Sequence, residues 1–188
     1  MRRAGRHFLQ IPGPSSVPDR VLRAIDFPTM DHRSPEFGEL GHAAIEGMKT
    51  IFKTSNPVII YPASGTGAWE AALANTLSPG DKVLMCETGN FAMMWQKLAR
   101  KLGLEPVVID TDWRVGADVE AIRQHLAKDK THEIKAVCVV HNETSTGCVS
   151  ETANVRGAID DLNHPALDLV DTISSLASSD HSYPHWGC

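Results

Sequence analysis

The stretch PVIIYPASGTGAWEAAL, Pro57 to Leu73, decides the fold. An apolar run, Val58 to Tyr61, leads into a turn carrying Gly65, Gly67 and two hydroxyl side chains, Ser64 and Thr66. The turn opens a segment whose Trp69, Ala72, Leu73, Thr76 and Leu77 share one helical face. A glycine turn between the carboxyl end of a strand and the amino end of a helix presents unpaired N–H groups, and the helix dipole adds partial positive charge there. Such a turn favours an anion, most simply a phosphate, and glycines let the backbone approach it closely. On these residues alone, a plain N-cap by Ser64 or Thr66 over a tight turn explains the stretch equally well.

Further apolar runs at Lys82 to Cys86, Pro106 to Ile109, Ala136 to Val140 and Leu167 to Val170 read as strands covered on both faces. Amphipathic segments from about Ala92 to Leu102, Asp118 to Lys128 and Thr152 to Asn163 read as the helices between them, and Met30 to Phe52 reads largely as helix. Strand and helix in alternation predict an α/β protein with a mostly parallel sheet and flanking helices. Residues 1–20, with Pro12, Gly13, Pro14 and Pro18, read as an irregular arm ahead of one domain over 21–188.

The composition is that of a folded protein: 188 residues, 42% hydrophobic and 22% charged, with a formal net charge of −5. Scattered Lys and Arg argue against nucleic acid or an anionic membrane as partner and favour small molecules. No run reaches bilayer-spanning length, and the basic start MRRAGRHFLQIPGP has no apolar segment behind it, so the expected setting is the cytoplasm, with a peroxisome as the alternative in a eukaryote. Cys86, Cys138, Cys148 and Cys188 show no C-x-x-C spacing and read as reduced thiols. His181, His185 and Cys188 have spacings a metal could use, but a fourth ligand is not evident and no metal site is expected.

Three schemes compete for the turn. A P-loop requires a lysine that does not follow here. A dinucleotide fingerprint finds Gly65 and Gly67 and an acid, Glu87, at the end of the next strand, yet Glu70 stands where Gly or Ala allows tight packing. A phosphate cup for pyridoxal phosphate requires, elsewhere, an acid for the ring nitrogen, an aromatic ring and a lysine. Asp171 ends the apolar strand of ALDLVDTISSLAS, where a carboxylate can pair with a pyridinium N–H or simply cap the next segment. HNETSTG, His141 to Gly147, ends another strand with Asn142, Thr144 and Ser145, suited to ring substituents or to a polar turn.

Taken in order, PGPSSVPDRVLRAI, DHRSPEF, PASGTGAWEAALANTLSPGDKVL, HEIKAVCVVHNETSTG and HPALDLVDTISSLAS resemble the amino-terminal part of class V aminotransferases, most closely the serine–glyoxylate group, over nearly the whole chain. The resemblance implies a fold-type I large domain, truncated here, in a homodimer whose active sites lie at the subunit interface. It implies pyridoxal 5′-phosphate as cofactor, held by Ser64, Gly65 and Thr66 at the phosphate, Phe91 against the ring, Thr144 as a polar contact and Asp171 at the ring nitrogen. Gly13 falls in the segment that approaches substrate, and Trp95 is an alternative stacking ring whose spacing with Leu98 and Leu102 favours core packing. The implied reaction moves an amino group from serine or alanine to glyoxylate, giving glycine and hydroxypyruvate or pyruvate. The implied Schiff-base lysine follows a GSQK-like stretch that would come after Cys188, so this chain alone is expected not to turn over. A non-catalytic remnant that binds pyridoxal phosphate or a partner subunit, or a desulfurase or lyase of the same family, are the alternatives.

Overall fold

The computed structural model describes residues 8–179, so His181, His185 and Cys188 lie outside the described residues. The chain divides into two units, Met1–Ala44 and Ile45–Cys188. In the first, an irregular segment precedes the helix α1 (Asp19–Ile25), and α2 (Pro35–Phe52) begins. Neither helix has a buried residue, and Leu22, Ile25, Phe27, Phe37 and Leu40 are exposed.

The second unit is built on α3 (Gly65–Thr76), β1 (Lys82–Glu87), α4 (Asn90–Lys101), β2 (Glu105–Asp110), α5 (Val119–Lys128), β3 (Ile134–Val140), the two-residue strands β4 (Asn142–Glu143) and β5 (Cys148–Val149), α6 (Thr152–Asp161) and β6 (Leu167–Asp171). Four strands form a parallel sheet in the order β2-β1-β3-β6, and β4 and β5 make a small antiparallel pair. Alternate residues of the two central strands, β1 and β3, feed two cores. Val83 and Met85, with Ala136, Cys138 and Val140, pack under α3 and α4 around Trp69, Leu73, Trp95 and Ala99. Leu84 and Cys86, with Val137 and Val139, pack under α5 and α6 around Ile122, Leu126, Val155 and Ile159. Side-chain alternation on strands covered from both sides is why these runs are apolar throughout.

One expected strand is absent. Val58 to Tyr61 lies in no strand, and Ile59, Ile60 and Tyr61 are exposed. An apolar run becomes a strand only when a neighbour accepts from its N–H groups and donates to its carbonyls, and no described strand pairs with it. The glycine turn therefore follows a segment that lies outside the sheet. This removes the strand–turn–helix context that a dinucleotide fingerprint needs.

Burial also sets the thiol chemistry. Cys86 and Cys138 are free and buried, and loss of hydration pushes the Cys86 thiol up to about 12 and raises that of Cys138 as well. Cys148 is half-buried, with its thiol on the Trp113 carbonyl at 3.0 Å. Among these three, Ellman's reagent at about pH 8 is expected to modify only Cys148 in the folded protein, and Cys86 and Cys138 only after unfolding in urea. Equal labelling rates for all three would mean that the sheet is open to solvent.

Candidate active site

The sheet order puts the carboxyl ends of β1 and β3 side by side where the connections diverge, the position at which open α/β sheets gather ligand groups. Glu87, Thr88 and Gly89 leave β1 there and pass into α4, which begins with Asn90 and Phe91. β3 ends at Val140 and runs through His141 into β4, and β6 ends beside it at Asp171, whose carbonyl accepts the His141 N–H at 2.9 Å.

Glu143 ties the first two ends together. Its side chain is fully buried, and its carboxylate accepts from the N–H of Phe91 at 3.3 Å, Ala92 at 3.1 Å and Ser145 at 3.1 Å, and from Ser145 Oγ at 2.6 Å. Gly89, the residue before α4, offers no side-chain cap, so the carboxylate from β4 caps this helix instead. Phe91 is thereby held half-buried at the first turn of α4, and Thr144 is held beside Glu143 in sequence, its hydroxyl hydrogen-bonded to that of Ser174. Ser174 Oγ in turn donates to the Asn142 carbonyl at 3.1 Å, which fastens the turn after β6 to β4. His141 and Ser175 are joined in the same way, Nδ1 to Oγ at 2.8 Å.

Asp171 is buried, and both its oxygens are engaged: Oδ1 accepts from Ile173 N–H at 2.8 Å and Oδ2 from Trp69 Nε1–H at 3.0 Å. Burial raises its carboxyl above the ordinary range, opposed by those two donors and reinforced by the nearby Glu143 carboxylate. A buried carboxylate in this condition is suited to a cationic N–H partner. The turn before α3 is tight: a Cβ on Gly67 would stand 2.4 Å from that of Ala63, and one on Gly65 would touch Ile173 at 3.4 Å. Ser64 is exposed and its hydroxyl does not cap α3, so the N-cap explanation fails for this side chain, and Thr66 on the first turn is exposed too. A cavity of about 340 Å³ lies beside α3 and the end of β6, lined among others by Gly65, Trp69, Trp95 and Asp171.

The structure thus groups Ser64, Gly65 and Thr66 at the start of α3, and Phe91, Thr144 and Asp171 at the carboxyl edge of the sheet. Gly13 lies in the other unit, in the irregular segment before α1. Trp95 is core: it is buried and stacks on Trp69, with centroids 5.4 Å apart and planes 10° from parallel. Glu87 receives the Gln96 amide at 3.3 Å. Among the described residues no group of three or more His, Cys, Asp or Glu could hold a metal, and no helix is long and apolar enough to cross a membrane.

A parallel sheet wound with helices on both faces, with these groups at its carboxyl edge, is the partial large domain of a fold-type I transferase. The solved alanine–glyoxylate aminotransferase of Nostoc sp. superposes with a TM-score of 0.87 at 30% identity, over 99% of this chain and 48% of that one. A profile of the family described as aminotransferase class-V matches residues 7–188, and the chain belongs to that family. It is 48% identical to the serine–glyoxylate aminotransferase of Methylorubrum extorquens over 98% of its length, and 45% identical to the L-aspartate–glyoxylate aminotransferase of Paracoccus denitrificans over 94%. It covers 46% and 45% of those two proteins, so the chain spans about half the length of the curated relatives it matches. Class V aminotransferases depend on pyridoxal phosphate as a family.

Proposed function

We propose that this chain forms the cofactor-binding half of a pyridoxal-phosphate-dependent aminotransferase that passes an amino group from a small amino acid, serine or alanine, to glyoxylate. The observation that carries the reading is the buried carboxylate of Asp171 at the carboxyl edge of the sheet, alongside the tight Gly65–Gly67 turn that opens α3. Pyridoxal phosphate, when bound, supplies an electron sink for a carbanion at the substrate Cα. Ser64 and Thr66 present hydroxyls, and Gly65 and Thr66 backbone N–H groups, to the phosphate. Phe91 would cover a face of the ring, Thr144 would hydrogen-bond near it, and Asp171 would accept from the ring N–H and keep that nitrogen charged. Gly13 belongs to the substrate side of the reading.

The enzyme is a homodimer, in keeping with the exposed Leu22, Ile25, Phe27, Phe37 and Leu40 of α1, α2 and the segment between them. Its setting is the cytoplasm, in keeping with the reduced Cys86 and Cys138.

Hydrogen exchange tests the phosphate assignment. Inorganic phosphate and pyridoxal phosphate are expected to slow exchange at residues 65–67 by about tenfold or more. Gly65→Asp is expected to abolish the effect, because its carboxylate repels the anion. Equal protection by NAD, or none by pyridoxal phosphate, overturns the reading.

A further inference from the structure

Asp171 has to be held in one orientation to meet a ring nitrogen, and the residue that holds it stands on the phosphate-binding helix. Trp69 follows Gly65 by one turn of α3, and its indole N–H reaches Asp171 across 102 residues of sequence. Two residues past Asp171, the Ile173 side chain stands where a Cβ on Gly65 would meet it at 3.4 Å, so the start of α3 and the chain leaving β6 approach each other at two points about one helical turn apart. On its other side Trp69 stacks on Trp95, which fixes the plane of the indole.

A buried tryptophan often finds some acceptor simply because its N–H is buried. The stacking partner differs: Trp95 is 2% exposed and its Nε1 has no hydrogen-bond partner among the described residues. Trp69 is spent on Asp171, and on the oxygen that the local Ile173 N–H does not occupy. Its hydrogen bond also favours the charged form of the carboxylate in a site where burial and Glu143 oppose it.

We infer that Trp69 is a positioning residue that keeps Asp171 aimed at the ring nitrogen, and that its hydrogen bond sets the spacing between the phosphate end and the nitrogen end of the cofactor site. The inference rests on the reading of Asp171 as the nitrogen's partner. A ligand anchored at both ends feels this bond, and a ligand anchored only at the phosphate does not.

The probe is 4-deoxypyridoxine 5′-phosphate, which has the ring nitrogen and the phosphate but no aldehyde and so needs no lysine. In Trp69→Phe, which keeps the stacked ring and removes the N–H, affinity for the probe is expected to fall about tenfold. Inorganic phosphate should bind as in the unaltered protein. The ultraviolet band of the bound probe should also lose its pyridinium form at lower pH than in the unaltered protein. Asp171→Asn should lose affinity and pyridinium band together. Unchanged affinity and ring titration in Trp69→Phe, with both altered in Asp171→Asn, overturns the role of Trp69 and leaves that of Asp171 standing. No change in Asp171→Asn overturns both. If Trp69→Phe also loses phosphate binding, the indole Nε1–H resonance of Trp69 in the unaltered protein decides. A resonance that titrates with Asp171 and moves on adding the probe supports the inference, and one indifferent to both overturns it.

Discussion

Replacing Asp171 by alanine is expected to weaken binding of 4-deoxypyridoxine 5′-phosphate about 100-fold, or about 2.7 kcal/mol, while inorganic phosphate binds as before. The asymmetry follows from position, since Asp171 sits at the end of β6 and the phosphate groups sit at the start of α3. Without a ligand the same carboxylate is a burden on the fold. Burial lifts its folded pKa above the unfolded value, which is near 4. For an acid shifted upward, the stability present below the unfolded pKa is lost as pH rises through the folded pKa. The unaltered apoprotein should therefore lose stability relative to Asp171→Ala over that window, measured as urea midpoints against pH. Alanine leaves the N–H groups of Trp69 and Ile173 unpaired, a cost of about 1–3 kcal/mol that removal of the desolvated charge partly offsets. Asp171→Glu should bind the probe more tightly than alanine does. Probe affinity within about threefold of the unaltered protein in Asp171→Ala would reduce Asp171 to a cap on the Ile173 N–H.

What the sequence reveals of this site divides along the distance over which each contact acts. β1 and β3 are legible because both faces are covered, so every residue from Val83 to Cys86 and from Ala136 to Val140 must be apolar. Val58 to Tyr61 has the same pattern and forms no strand, because pairing depends on a neighbour and not on the run itself. Asp171 and Thr144 are legible as polar residues at strand ends. Trp69 and Glu143 are not. In sequence, Trp69 is one apolar member of a helical face, and its hydrogen bond to Asp171 exists only once α3 lies against β6. Glu143 reads as one polar residue among several in HNETSTG, and the two α4 N–H groups it serves lie 52 and 51 residues earlier. The one available signal is local to its partner: Gly89 precedes a helix with no side chain to cap it, so the cap has to come from elsewhere.

That arrangement predicts a large and non-additive pair of effects. Glu143→Ala strands the N–H groups of Phe91 and Ala92 in a buried site and frees the Ser145 turn, for a loss of about 3 kcal/mol, or roughly 6–12 °C in Tm. Glu143→Gln should lose less, since one oxygen can still accept while the amide meets a donor. Gly89→Ala should also be costly, because a Cβ there would stand 2.4 Å from Glu143 Cγ, 2.6 Å from Cδ and 2.7 Å from Ser145 Oγ. Overpacking of this kind costs about 1–3 kcal/mol and drives the carboxylate off the helix it caps. The two changes occupy the same space, so the methyl group that Gly89→Ala adds is accommodated where Glu143 has been truncated. In a double-mutant cycle read from urea midpoints, the double variant should be less destabilised than the sum of the singles by at least about 1 kcal/mol. Both singles should also weaken probe binding, because Phe91 and Thr144 lie on the two segments that Glu143 joins. Strict additivity, with probe affinity unaltered in both singles, would mean that the ends of β1 and β3 keep their places without the carboxylate between them.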